Sequence, residues 1–585
     1  MKYIQLQKNI RKTLQVAALG LLVGFAASCS KDAKEKDVTP MEGSAVIKVN
    51  VKGVEEVVAT AVASKNALLA SNGKADAVQE DEVLIDFGGL DGFVSGEQDL
   101  VGYDKAEGNE AITKEDLTAS LTAGKTIRPF VATTSPMPSG TKYRLIMINQ
   151  NGDIVVNKEA TAGVDPQIQV DGHRSYDWYA VSVGRTDGVP NIDGNKKLKA
   201  SDLANKDVVF ASGSLSTVDG DNYLDITMKR KTSRVQVEVN TRGMFSTIHN
   251  AAKFKLKDSS GDLITMGDLD IISGTFSNIQ NFPNAAVAGS EMTDVDGNPD
   301  GTVKTASFYT LREGSVAANN LQIVMDKLEV APDDAADRPG GRRTFAIKTL
   351  KYNGAIPLAV GSSYKTKVRL IESPIKVNGI LWARGNLKYN SSATDKYRIR
   401  PNFGGSGEAE QNTEFWNWKA TTPTGTAGQG DPCTMIYPAN TWRMASVNEW
   451  ESIEQPQSKD ERSGLFFGFQ VTYMWNKDSD YPSNTPAYED EMHLSFGGYR
   501  TAPNFLGNTS VTGSPIGIFL GAYGNGTLNY WTSTEHNSND AKAVTSSFTR
   551  ALWLFSWTNV KYTNENKREG RNVRCVRNVE YNKPI

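Results

Sequence analysis

From Ser44 onward the chain alternates apolar and polar positions. Ile47, Val49 and Val51 face one way and Lys48, Asn50 and Lys52 the other, the period of a strand with one wet face. Val83-Ile85-Phe87 repeat it. Tyr143-Leu145-Met147 run to Asn151-Gly152 and resume at Ile154-Val156, which predicts a hairpin closed by a primed turn. Trp178-Ala180-Ser182 and Tyr223-Asp225-Thr227 extend the series, with Asp171-Gly172 and Asp219-Gly220 as turns. Lys229-Arg230-Lys231 make a poor core segment and mark a boundary. Beyond them the alternation restarts at Val235-Val237-Val239. It continues through Phe254-Leu256, Ile264, Phe276, Ala306-Phe308, Leu321-Ile323-Met325, Phe345-Ile347 and Tyr364-Thr366-Val368-Leu370. Short strands at this spacing predict two consecutive β-sandwiches, residues 44–230 and 231–372. The Ala/Ser/Lys-rich stretch 59–77 departs from the period and reads as a short helix or a surface segment.

The texture changes in 373–585. Of ten tryptophans only Trp178 lies outside 377–577. The rest are separated by Gly/Asn/Ser/Thr-rich segments, which predicts a unit packed by aromatic area and rich in loops. Ser446 as N-cap with Glu449 three residues on forms a capping box, opening a short helix that turns Trp450 inward. Val573 and Cys575 alternate with Arg574 in a terminal strand with one buried face. Core packing accounts for tryptophans in such a setting. The alternative is that Trp416, Trp418 and Trp557 stand on long loops and stack on a sugar or a protein partner.

The first 29 residues are a processing segment. Lys2, Lys8, Arg11 and Lys12 form its basic start, and Leu14 to Ala27 an apolar run too short to span a bilayer. Phe25-Ala-Ala-Ser-Cys29 resembles the lipobox of bacterial lipoproteins, which implies lipidation (palmitate among the acyl groups) at Cys29; ordinary cleavage after Ser28 is the other reading. Residues 30–43 are too polar to pack and serve as a tether. Lys31-Asp32 resembles the charged signal that sends lipoproteins to the outer surface in the Bacteroides group. With Cys29 lipidated, Cys433 and Cys575 remain, and they either pair in an oxidising compartment or stay as two free buried thiols.

Charge and candidate chemistry narrow the function further. With 64 basic against 67 acidic residues and a net charge of -3, the chain has no electrostatic footprint for nucleic acid. Four histidines and three cysteines are too scattered for a zinc site, and the histidines read as surface or loop residues. Asp294, Asp296, Asn298 and Asp300 fall at alternate positions in 291–301. Pro299 and the lack of a suitably spaced Glu favour a solvated turn over a calcium loop. Ser533, Glu535 and His536 are close in sequence, but neighbours on a strand point to opposite faces, so they make no triad. No enzymatic activity, cofactor or metal is expected.

Two resemblances follow from these residues. The signal, the first strand just past the tether and the paired sandwiches, with strands such as Lys142-Tyr-Arg-Leu-Ile-Met-Ile-Asn149, resemble the fimbrillin superfamily of FimA-type and Mfa-type pili. That family assembles by β-strand exchange after a protease cuts behind an early arginine. Here no arginine lies between Arg11 and Arg128, and Pro129 follows the latter. Cleavage therefore falls after a lysine, or the first strand is retained and the subunit takes an anchoring or terminal place. Five pieces of 377–577 resemble the major-paralogous domain family of Fibrobacter and Bacteroidetes, related in shape to C-type lectins. They are Val377-Asn-Gly-Ile-Leu-Trp-Ala-Arg-Gly-Asn-Leu387, Pro438-Ala-Asn-Thr-Trp-Arg-Met-Ala-Ser-Val-Asn-Glu-Trp450, Leu494-Ser-Phe-Gly-Gly-Tyr-Arg500, Tyr530-Trp-Thr-Ser-Thr-Glu535 and Gly570-Arg-Asn-Val-Arg-Cys-Val-Arg577. Together they imply a mainly β chain, two fimbrillin-like β-sandwich domains followed by a C-type-lectin-like α+β domain. The implied function is that of an accessory or tip subunit of a fimbria on the cell outer membrane. Its implied partners are other fimbrial subunits and a glycan or surface protein of a host or bacterium. A glycan-binding surface lipoprotein outside any pilus is the alternative.

Overall fold

The computed structural model describes residues 43–56, 83–86, 90–97, 133–261, 263–299, 301–333, 341–352, 354–399, 412–463, 469–479, 491–513, 516–518, 523–551 and 554–578. Cys29, the tether up to residue 42 and the stretch 59–77 lie outside them. The fold is mainly β.

The first strand, Ser44–Glu56, enters an eight-stranded sheet beside Gly220–Arg230, and the two run parallel. The sheet continues through Val209–Ser216, Ser175–Ser182, Lys142–Asn149 and Ile154–Thr161 in antiparallel order. One face packs Ile47, Val49, Leu145, Met147, Trp178, Ile226 and Met228 into a core. The opposite face is covered as well. Ile146, Ile148, Tyr179, Val181 and Phe210 pack against Met266, Leu269 and Ile271. This double burial explains the unbroken apolar run 145–148 inside Lys142–Asn149, as in central strands covered on both sides.

Three local expectations need correcting. At Asn151-Gly152 the connection is not a two-residue primed turn. Asn149 Oδ1 accepts the N–H groups of Asn151 and Asp153, and within the turn Gly152 alone goes left-handed, at φ +86°. A three-residue loop of this kind requires only one such position. In Gly220–Arg230 the buried phase is Leu224, Ile226 and Met228, whereas Tyr223 is 70% exposed; Asp225 in the same phase keeps that face wet. The strand Val83–Asp86, expected in the first sandwich, and Leu90–Glu97, which lies within the same range, extend the next sheet, because Leu90–Glu97 pairs antiparallel with Ser363–Glu372. Alternation identifies a strand but not its partner.

That second sheet is ordered Thr293–Asp294, Val303–Thr310, Ser233–Gly243, Ser363–Glu372, Leu90–Glu97 and Val83–Asp86. Val235, Val237, Val239, Phe308 and Val368 point into one core, and Phe254, Ile323, Met325 and Leu350 from a second layer around Gln322–Pro332 meet them. In 291–301, Asp294 Oδ1 accepts the Gly301 N–H, which ties the acidic stretch into the end of a hairpin.

The junction with the Trp-rich region is dry and ion-paired. Phe245 is buried among Trp442, Met444, Cys433 and Cys575, residues nearly two hundred or more positions away. The Arg398 guanidinium lies 5.0 Å over its ring and pairs with Asp333. Arg242 clasps Asp395 with two hydrogen bonds of 3.0 and 2.7 Å, which hold the guanidinium charged.

Candidate functional site

The Trp-rich region is built on short sheets. Ile375–Val377, Ile380–Trp382, Cys575–Arg577 and Trp442–Met444 form one. A larger one centres on the long pair Tyr523–Glu535 and Asp540–Ala551. Cys433 and Cys575 are disulfide-bonded, with Cα atoms 5.9 Å apart, and both are fully buried. The bond joins a single 3-10 turn, Pro432–Met435, to the terminal strand. Asp431 caps that turn, accepting from Cys433 N at 2.9 Å and Met444 N at 2.7 Å. Burial pushes its carboxyl up, against the pull of those two donors.

The helix Val447–Ser452 opens on a complete capping box. Ser446 accepts the Glu449 N–H, and the Glu449 carboxylate accepts the Ser446 N–H. Glu449 is also gripped by Arg443 at 2.6 and 2.9 Å. Burial raises the Glu449 carboxyl, but the Arg443 and Ser446 hydrogen bonds outweigh it and hold it below its ordinary value. A depressed carboxyl contributes stability above its unfolded value and loses it as pH falls through the folded one. Melting temperature against pH should therefore fall on the acid side in the wild type, and less steeply in Glu449→Gln. Ser446→Ala should cost about 1 kcal/mol in urea unfolding, the usual loss for an N-cap; an unchanged midpoint would show the cap to be redundant.

The three tryptophans proposed to face a ligand do not stand on open loops. Trp416 is 0% and Trp418 4% exposed. Trp416 Nε1 donates to Leu387 O and Trp418 Nε1 to Thr532 O, at 3.2 and 2.8 Å. Their segments are irregular in sequence, yet they are folded over the core, where each indole N–H finds a backbone carbonyl. Trp557 is half-buried against Tyr473, Phe496 and Phe548, with ring centroids 5.4 to 5.6 Å away, and Lys459 Nζ sits 4.9 Å over its ring. The three make no flat stacking platform. Glu535 is bound by Lys567. His493, expected at the surface, is buried in the strand Glu491–Ser495.

The sequence left two other features unmarked. The first is how the opening strand is seated. Ala45, Ile47, Val49 and Val54 are all buried, while Lys48 and Lys52 pair with Asp221 and Asp225 at 2.6 and 2.9 Å on the wet face. Its outer edge meets Ile168–Asp171 at one end and Thr133–Ser135 at the other. Between them Val49 N donates to Asp165 Oδ1. The second feature is a hairpin tip, residues 504–508, where Phe505 is 94% and Leu506 68% exposed. Its signal in the sequence is the absence of any charged residue between Arg500 and Glu535.

No family model matches the sequence, and no curated protein does. Among solved structures the chain is similar to a candidate cell adhesion protein from Bacteroides fragilis, at 10% identity over 41% of this chain and 82% of that one, with a TM-score of 0.28. A candidate cell adhesion protein from Bacteroides ovatus aligns at 15% identity over 41% and 86%, TM-score 0.24. The fimbrial anchor protein Mfa2 from Porphyromonas gingivalis aligns at 12% identity over 43% and 93%, TM-score 0.17.

Proposed function

We propose that this chain is an adhesion subunit of a cell-surface fimbria, joined to its neighbours by exchange of β-strands and tethered to the outer membrane through a lipid on Cys29. In this reading residues 44–372 form two fimbrillin-like sandwiches, with Val83–Asp86 and Leu90–Glu97 belonging to the second. They carry residues 373–585 as a lectin-like contact unit, and the chain has no catalytic role.

The seating of the first strand carries the reading. It follows the polar tether directly, it is parallel to its sheet neighbour, and among the described residues its outer edge is strand-paired only towards its ends. Its apolar side chains nevertheless plug the core. A strand so placed can be replaced by one from another subunit, because the backbone ladder and alternate pockets are generic. Retention of the strand, which the missing early arginine favours, would give the subunit an anchoring or terminal place.

Deleting 44–56 should expose an apolar groove, seen as dye binding, and a synthetic peptide of that sequence should quench the dye signal and raise the melting temperature. A deletion variant as stable as the full chain and indifferent to the peptide would remove the exchange mechanism. Immuno-electron microscopy of the producing cell tests the location, and label spread evenly over the outer membrane would overturn the fimbrial reading.

A further inference from the structure

We propose that the hairpin tip 504–508 is a lipid-inserting tip, with Phe505 and Leu506 entering the interfacial zone of a zwitterionic bilayer. The hairpin rises from the pair Tyr499–Arg500 and Val511–Thr512 and is braced to the long strand below by Thr527 N donating to Gly513 O. Its apex is preformed. Asn504 Oδ1 accepts the N–H groups of Leu506 and Asn508, both at 2.9 Å. Asn504 N donates to Asn508 O, and Gly507 N to Asn504 O. Four of the tip's five amide donors are thus satisfied within the turn, which lowers the cost of entering an apolar medium. The carbonyls remain within reach of headgroup water at a shallow depth.

The chemistry around the apex selects lipid over a protein pocket. An aromatic and an aliphatic side chain stand side by side on a narrow convex turn, exposed at 94% and 68%. Protein interfaces commonly use charged groups around such anchors to steer the partner and fix its register. Here the flanks are Thr, Ala, Pro, Asn, Gly and Ser, and the chain from Thr501 to Thr534 carries no charge. The hairpin itself carries no charge at its apex to orient a protein partner. Equally, nothing has to be stripped of water as a charge when the tip enters the bilayer boundary. The missing basic residues also argue against an anionic membrane as the target. A two-residue tip partitions weakly, and several copies on one surface would multiply the effect. The inference does not rest on the fimbrial reading, and a monomeric chain can be tested.

The test is sedimentation of the full chain with phosphatidylcholine vesicles at low and high salt. Salt-insensitive binding is expected, falling on the order of ten- to hundredfold in Phe505→Ser/Leu506→Ser, the change that goes with losing two apolar side chains from the contact. Both residues are exposed, so circular dichroism and melting of the double variant should match the wild type. Phe505→Trp should be quenched by brominated phosphatidylcholine. No binding at millimolar lipid, binding unchanged in the double variant, or binding that needs anionic lipid and vanishes with salt would each overturn the proposal. So would adhesion to cells that depends on Phe505 and Leu506 without vesicle binding, since that would assign the tip to a protein partner.

Discussion

Replacing Cys433 and Cys575 together by alanine should lower the stability of the Trp-rich region by roughly 2–5 kcal/mol. The two cysteines are 142 residues apart. On the chain-entropy account, opening a loop of that length frees the unfolded chain by about 5 kcal/mol at 25 °C. The native side gains little in return, because the bond sits in a fully buried cluster with Trp416, Trp442 and Trp531. Alanine keeps the site apolar, so the loss reports the cross-link and a small cavity, and not a buried hydroxyl. Unfolding followed by tryptophan fluorescence reads this region selectively, since nine of the ten indoles lie in it. Dithiothreitol should reproduce the shift in the wild type and leave the double variant unmoved. Identical wild-type melts with and without reductant would show that the cross-link contributes nothing to stability.

How far the fold was legible before the structure depends on which interaction placed each residue. Ser233–Gly243 was fully legible, because Val235, Val237 and Val239 all face the core and Gln236, Glu238 and Asn240 do not. The capping box at Ser446 and Glu449 was equally plain, since both its donors and acceptors lie within four residues. Trp416 and Trp418 were legible only as two alternatives, core packing or a ligand-facing loop, and it is core packing that holds. Their neighbours read as loop, and loop they are, but the carbonyls that receive their N–H groups belong to residues 29 and 114 positions away. Periodicity carries no information at that range. The same limit hid the sheet membership of Leu90–Glu97, whose partner strand begins at Ser363. The candidate site shifted accordingly, from the buried Trp416 and Trp418 and the half-buried Trp557 to a first strand whose alternation was visible and whose seating was not.

Phe245→Ala should cost roughly 3–5 kcal/mol, the range for deleting a buried phenylalanine, and should also uncouple two parts of the molecule. The residue belongs by sequence to the second sheet's Ser233–Gly243 connection, yet its ring is buried in the Trp-rich cluster. Its backbone is held at φ +50°, a region that a bulky side chain occupies only when its surroundings impose it. Those surroundings are visible. Phe245 N donates to Arg242 O, its carbonyl accepts from Asp333 N at 3.0 Å, and Arg398 covers the ring. Alanine keeps the unfavourable φ and removes the burial that compensates for it. Asp333 and Arg398 then face a cavity, and the largely buried Arg242 to Asp395 clasp is left as the remaining polar tie across the junction. Calorimetry should show the wild-type cores around Val237 and around Trp442 melting together and those of the variant melting apart, with the tryptophan-reported transition moving down. A single transition at the wild-type temperature would mean that Phe245 fills space without joining the two cores.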